Sequence, residues 1–412
     1  MITFQDVQAL DLNDPLADRK KQFSLPADCI YLDGNSLGAL PIRAKNRTRE
    51  VIEQQWGQDL IKSWNTHHWI DLPAQTGEKI ASLIGAAAGQ VICCDSISVN
   101  LFKLLCSALN MQKGRTVVLS QQDNFPTDLY MVQGLAELLG QQQCELRLQG
   151  GDNIVEALTA DVAVLLLTQV NFRTGYMHDM QLITQLAHQQ GILVIWDLAH
   201  SAGALPIELD KCEVDFAVGC GYKYLNGGPG APAFVYVAER HQAIAKQPLS
   251  GWMGHAKPFD FSPQYQPGQG MLRFLCGTPS IVSMSVLDAA LEVFDGVDMC
   301  VVRDKSCKLA QLYIGLVAQA HLTNKLTLIS PLRNEDRGSQ VSYTHVHAFA
   351  ICQALIARNI ICDFRAPDVL RVGFTPLYTS YVDIWNAVEH LQDIVHNEIY
   401  HETKYNQLNK VT

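Results

Sequence analysis

The stretch Ile195-Trp196-Asp197-Leu198-Ala199-His200 runs an apolar strand directly into an acid. In open α/β sheets the carboxyl ends of strands are where ligands bind. Twenty-six residues later, Lys223 sits within Gly219-Cys220-Gly221-Tyr222-Lys223-Tyr224-Leu225-Asn226-Gly227-Gly228, a lysine among glycines and aromatics with no carboxylate beside it. An acid and a lysine so placed are the two groups that pyridoxal phosphate chemistry needs. The amine bonds the aldehyde, and the carboxylate keeps the pyridine nitrogen protonated so that the ring accepts electrons. Each residue also has a plainer reading. A strand-end aspartate is as often a turn or helix cap, and a lysine in a glycine-rich loop is usually a solvated charge. Taken together on these elements, the plainer readings lose most of their weight. Arg371 is the third candidate, on the apolar stretch Val369-Leu370-Arg371-Val372-Gly373. A guanidinium there must be paired. It belongs either to a structural ion pair or to a bidentate clamp on a carboxylate.

The elements that must position these groups follow from periodicity. Short apolar, β-branched runs mark strands at residues 116–120, 144–148, 162–168, 193–197, 214–218 and 233–237, with helical stretches at 97–110 and 127–140 among them. Near-continuous apolar strands separated by helices predict a parallel or mostly parallel sheet covered on both faces. Upstream, a short strand at 29–32 ends in the turn formers Asp33-Gly34-Asn35-Ser36, and helices are expected at 42–64 and about 78–88. After about residue 279 the rhythm changes to two helices, at 280–294 and 303–319. A strand-strand-helix-strand-strand series over 326–374 then suggests a smaller α+β domain. The division expected is an N-terminal segment, 1–60, packing with the small domain or an interface, a large domain over 61–295, and a small one over 296–412.

Composition excludes other classes. The 412 residues suggest two or three domains and suffice for a large core without disulfides. A formal net charge of −10 without a basic run argues against nucleic acid and anionic membrane as partners. The apolar run 162–167 is far too short to span a bilayer, and residues 1–15 carry no basic-then-apolar leader pattern. Twelve scattered cysteines without zinc spacing read as free thiols of a reducing compartment, so a cytoplasmic protein is expected. No GxGxxG follows an early strand and there is no Walker A sequence. Paired His67-His68, with no third ligand, is weak evidence for a metal, and none is expected.

Across nearly its whole length the chain resembles the kynureninase family, pyridoxal-phosphate hydrolases of tryptophan degradation with the aspartate-aminotransferase-like fold type I. The resemblance rests on Tyr31-Leu32-Asp33-Gly34-Asn35-Ser36-Leu37-Gly38, Phe125-Pro126-Thr127-Asp128, the stretch 168–175, Trp196-Asp197-Leu198-Ala199-His200 and Tyr222-Lys223-Tyr224-Leu225-Asn226. It extends to Gly251-Trp252-Met253-Gly254-His255 and Arg371-Val372-Gly373-Phe374-Thr375-Pro376-Leu377-Tyr378. It implies that Lys223 carries the cofactor, that Asp197 meets its pyridine nitrogen and that Phe125 stacks on its ring, although spacing alone fits a core aromatic equally well. Ile97 and Ser98 match the phosphate-proximal turn; as a helix start they offer free N–H groups to an anion, or simply a capped end. Asp128, Thr168, His200, Tyr222, Trp252 and Thr278 match further cofactor contacts, while a lone His200 is more often a core or surface histidine. At Thr278 some relatives carry Asn in a Ser-Asn-Pro context. Arg371, with Asn35 and Ser36, would bind the amino acid substrate.

The activity implied is hydrolysis of L-kynurenine, or 3-hydroxykynurenine, to anthranilate or 3-hydroxyanthranilate and L-alanine, with Tyr222 relaying protons. A homodimer is implied too, with Trp252 and Thr278 reaching the partner's cofactor. Two alternatives stay open: another fold type I lyase or transferase such as a cysteine desulfurase, for which Cys276 is the cysteine nearest a matched motif, and a non-catalytic sensor of the same fold.

Overall fold

Seven strands form the central sheet of the computed structural model, which describes residues 1–150 and 153–407. After the two-residue strand β1 (Ile30–Tyr31) come β2 (Val91–Cys93), β3 (Val117–Gln121), β4 (Glu145–Gln149), β5 (Val162–Thr168), β6 (Leu193–Asp197), β7 (Phe216–Cys220) and β8 (Ala233–Val237). Their order across the large sheet is β2-β8-β7-β6-β5-β3-β4. All run parallel except β8, which is antiparallel to both neighbours. The mostly parallel sheet expected from the apolar runs is therefore present.

The alternation within each strand explains the layering. Leu119, Leu165, Val194 and Trp196 enter one hydrophobic cluster, whereas Val118, Val164, Leu166 and Ile195 enter another. Period-two side chains thus feed two covered faces. Each large apolar side chain so buried contributes about 1.5–3 kcal/mol. The register Thr168↔Asp197↔Val218 aligns the carboxyl ends of β5, β6 and β7, so that their last residues share one rim.

The C-terminal part builds a second, antiparallel sheet. Strands β9 (Thr327–Leu328), β10 (Gln340–Thr344), β12 (Asp363–Arg365) and β13 (Val369–Gly373) lie in the order β12-β13-β10-β9, while β11 (Ile360–Ile361) pairs in parallel with β1. A third cluster, including Leu316, Ile351, Leu370 and Val388, also takes in Val7 and Leu32 from the start of the chain. The first helix, Phe4–Leu12, is pinned by Asp11, whose carboxylate accepts the N–H groups of Tyr381 and Val382 at 2.7 and 2.9 Å and so caps the helix Tyr381–His396. Asp14 and Lys305 form a buried pair at 2.7 Å nearby.

Two helices depart from their expected limits. The 42–64 stretch begins as the helix Ile42–Arg49, widens into π turns over Glu50–Trp56 and breaks at Gly57. A helix expected at about 78–88 instead spans Leu72–Leu83. Pro73 suits a first turn, where its missing N–H costs nothing, and Gly85, at φ +61°, ends the run.

The turn after β1 ties the two sheets together. Asp33 bridges to Gly373 of β13, while the Gly38 N–H donates to the Tyr222 carbonyl at 2.8 Å. A Cβ on Gly38 would sit 2.3 Å from the Lys223 carbonyl oxygen, and one on Gly373 would sit 2.0 Å from Asn35 Oδ1. Those two glycines let the turn approach the lysine loop and β13 this closely.

Candidate active site

The rim at the ends of β5, β6 and β7 faces a cavity of about 140 Å³. Its walls include Ile97, Ser98, Phe125, Thr168, Asp197, His200, Tyr222 and Lys223. Eight of the residues singled out in the sequence are thus in one place. Ser96 caps the helix Ile97–Met111, its hydroxyl accepting the Val99 N–H, and leaves the N–H groups of Ile97 and Ser98 at the helix start without intrahelical partners. That end favours an anion. Phe125 stands edge-on to Phe172, with ring centroids 5.2 Å apart.

Lys223 is buried, 9% exposed, and its Nζ lies 3.0 Å from His200 Nε2. A lysine offers only donors in this contact, so Nε2 accepts and the proton of neutral His200 stands on Nδ1. Burial, with the Lys223 charge second, pushes the His200 pKa well below its usual value and keeps the ring neutral. Burial lowers the Lys223 pKa too, against the opposing influence of the Cys220 and Asp197 charges.

Asp197 is fully buried and accepts the Ala199 N–H at 2.8 Å, so the cap reading holds as far as that one bond. Burial raises its pKa to about 6, while the Lys223 charge pulls the other way. The Thr168 hydroxyl donates to Asn124 Oδ1 at 2.5 Å and lies 3.3 Å from Asp128 Oδ2, while Asp128 Oδ1 makes no hydrogen bond meeting the same geometry among the described residues. Burial, then the Asp197 charge, raises the Asp128 pKa well above its ordinary value, so the two acids do not readily carry two charges together. The Tyr222 phenol is also pushed up, chiefly by burial, and remains a donor.

Arg371 is 1% exposed and forms the ion pair that its apolar strand demanded. Asp363, directly opposite on β12, takes Nε at 2.9 Å and Nη2 at 2.5 Å; Ser36 Oγ accepts from Nη2 at 2.9 Å and the Phe172 carbonyl from Nη1 at 2.5 Å. Four of five guanidinium N–H bonds are therefore engaged. The last, on Nη1, belongs to the nitrogen that holds Phe172, a residue of the cavity wall. Ser36 donates to Asp363 at 2.8 Å, and Arg365 reaches both Ser36, at 3.1 Å, and Asp363, at 2.7 Å. Asn35 is buried and donates to Gln340 at 3.4 Å.

Asp128, Asn35, Ser36, Arg371, Trp252 and Thr278 are not among the walls of this cavity. Trp252 is 43% exposed against Phe259, and Thr278 lines a separate cavity with Asp95 and Cys276. Asp33, Asp363 and Arg365 were missed from the sequence. Asp363 and Arg365 alternate along a strand, which puts them on one face, and a buried arginine opposite required an acid.

The fold is similar to that of a cysteine desulfurase from Thermococcus onnurineus NA1, with a TM-score of 0.78, 19% identity, and 92% of this chain and 98% of that one covered. A cystine C–S lyase in complex with cysteine persulfide gives a TM-score of 0.77 at 19% identity, covering 89% and 98%. The architecture is thus that of fold type I pyridoxal phosphate enzymes. The family model for the kynureninase C-terminal domain matches residues 302–391. A kynureninase of Burkholderia pseudomallei (strain 1106a) is 50% identical over 410 residues, covering 98% of both chains, and one of Pseudomonas fluorescens is 46% identical over 417 residues, covering all of both. The chain belongs to the kynureninase family.

The donor set fits pyridoxal phosphate. A free helix N-terminus for phosphate, a buried acid at a strand end, an aromatic ring and a buried lysine face one space.

The Asp363 network yields a stability prediction. Burial raises the Asp363 pKa, but the charge and hydrogen bonds of Arg371, with the Arg365 charge, bring it below the model-peptide value. Its contribution is then fully present above the unfolded pKa of about 3.9 and is lost as pH falls through the lower folded value. Asp363→Asn is expected to cost about 3–5 kcal/mol at neutral pH by leaving Arg371 buried and underpaired. Urea unfolding checks this, and an unchanged midpoint would mean the pair is dispensable.

Proposed function

We propose that this protein hydrolyses L-kynurenine, or its 3-hydroxy derivative, to anthranilate or 3-hydroxyanthranilate and L-alanine, by cleavage between Cβ and Cγ. The observation that carries the reading is the buried Lys223, hydrogen-bonded to a neutral His200 beside the strand-end Asp197, in a chain half identical to kynureninases over its whole length. Pyridoxal phosphate supplies an electron sink next to the substrate α-carbon.

The roles of the side chains follow from their chemistry. Ile97 and Ser98 would hold the phosphate with their N–H groups, Phe125 would cover the ring, and Asp197 would keep the pyridine nitrogen protonated. Thr168 stands between Asn124 and Asp128, its hydroxyl 2.5 Å from Asn124 Oδ1 and 3.3 Å from Asp128 Oδ2, and helps to position the acid. Lys223, with its lowered pKa, more readily exists as the free amine that takes a proton from carbon. His200 Nε2 steers that amine. Tyr222, still protonated, delivers a proton to the hydrated ketone or receives one from it. The remaining Nη1–H of Arg371 and the Ser36–Asn35 turn take the substrate carboxylate.

A desulfurase reading needs a mobile, activated cysteine. Cys276 lies in a different cavity, and burial raises its pKa. The kinship at half identity lies with kynureninases instead. The division of the chain at about 60 and 295 remains our reading of the domains; residues 408–412 of the expected small domain lie outside the described residues. We also read the protein as a cytoplasmic homodimer. Its twelve cysteines are all free, and no helix among the described residues is long and apolar enough to cross a membrane. Trp252 and Thr278 stand outside the cavity of their own chain, a placement that fits service to a partner's site.

Incubation with L-kynurenine should release anthranilate and alanine in equal amounts, measured by chromatography; transamination products alone would refute the assignment. Lys223→Ala and Trp252→Ala chains, each inactive alone, should regain activity when refolded together, since one site of the mixed dimer then holds both intact residues. No recovery would return Trp252 to its own chain's site.

A further inference from the structure

Four charged side chains meet where the turn after β1 touches β12 and β13, and among the described residues they leave two buried atoms unpartnered, the acceptor Asp33 Oδ1 and the donor Arg365 Nε. Asp33, Asp363, Arg365 and Arg371 carry two negative and two positive charges when all are ionised, a net of zero. Asp363 spends its oxygens on both arginines and Ser36. Asp33 Oδ1 is buried with no partner among the described residues. If Arg371 binds the substrate carboxylate, as read above, the cluster becomes −1 around two fully buried members, Arg371 and Asp363, with Asp33 and Arg365 partly buried. An unbalanced buried charge is costly unless a group changes its protonation.

We propose that Asp33 takes up one proton when the substrate carboxylate enters, so that the cluster returns to zero net charge. Asp33 is the group free to do so. Around it, Tyr31 at the end of β1, Tyr224 in the lysine loop and Tyr378 after β13 are all pushed upward, chiefly by burial. The Cys362 thiol is raised well out of range, with the Cys352 hydrogen bond as the largest cause. Both arginines stay cationic at any ordinary pH, and Asp363 is held ionised by them. Burial, with the Asp363 charge second, already raises Asp33 to about 7 in the free protein. An arriving anion raises it further. Because the bound state holds more protons, affinity for the carboxylate falls as pH rises above the free-state pKa, by about tenfold per unit at the limit. Asp33 is thus a positioning residue that acts through Arg371.

The test uses the holoenzyme and 4-(2-aminophenyl)-4-oxobutanoate, the substrate skeleton without its α-amine, so that no amine exchange at Lys223 contributes protons. Titration calorimetry in buffers of different ionisation enthalpy counts the protons taken up between about pH 6 and 9. The native protein should take up close to one proton at the alkaline end. Asp33→Asn, a neutral mimic of the protonated acid, should take up none and should bind roughly tenfold or more tightly than the native protein at about pH 8.5. Should that variant not fold, Arg365→Gln serves. Removing a cation raises the Asp33 pKa and should move the decline in affinity to higher pH. Affinity of the native protein that is flat across the range, equal uptake by Asp33→Asn, or an unmoved profile in Arg365→Gln would overturn the proposal. If the acid fails to bind, or binds no better than its carboxamide, the carboxylate reading of Arg371 falls first and the proposal falls with it.

Discussion

An ammonium group buried without a carboxylate partner is the constraint around which this molecule is arranged. Lys223 has a neutral imidazole as its hydrogen-bond partner and no ion-pair partner among the described residues. Burying such a group lowers its pKa, because the charged form loses more solvation than the neutral one. Two acids stand close by, yet they do not cancel that effect. Burial raises the pKa of both Asp128 and Asp197. The cavity is therefore poised to hold a polar, anionic guest, and its free helix N–H groups and unpartnered atoms are unused capacity for one.

The rest of the fold supplies the walls. Parallel strands deliver Thr168, Asp197 and Cys220 to one rim because their register places their carboxyl ends together. The second sheet delivers Arg371 from a different hydrophobic cluster. The turn 33–38 joins the two by lying against both the lysine loop and β13. Chemistry at the lysine and recognition at the arginine are thus carried on separate bodies of core, joined by the glycine-bearing turn, the Phe172 carbonyl and further contacts such as Tyr224 to Ser339 and Arg173 to Asp368.

Much of this was legible in the residues. Strands such as Val162–Thr168 and Leu193–Asp197 matched their apolar runs because strands covered on both faces have no solvent side to blur the pattern. The Asp197–Lys223 pairing was visible because each residue breaks a local rule, an acid ending an apolar strand and a cation in a glycine loop. The antiparallel direction of β8 was not visible, since direction leaves no mark on an apolar run. Nor was the π-widened end of the 42–64 helix, whose apolar spacing continues past the break at Gly57. The Lys223–His200 contact depends on how two loops fold over the rim, and the Asp33–Asp363–Arg365 cluster joins segments some 330 residues apart. Cross-strand partners are fixed by register, which the sequence of one strand alone does not carry.

Borohydride reduction of the purified protein, followed by peptide mass analysis, asks directly whether the buried lysine is the anchor of the site. The account predicts a single pyridoxyl-modified lysine at Lys223, with loss of the yellow colour on reduction. A modification on any other lysine, or none on a coloured and active protein, would contradict it.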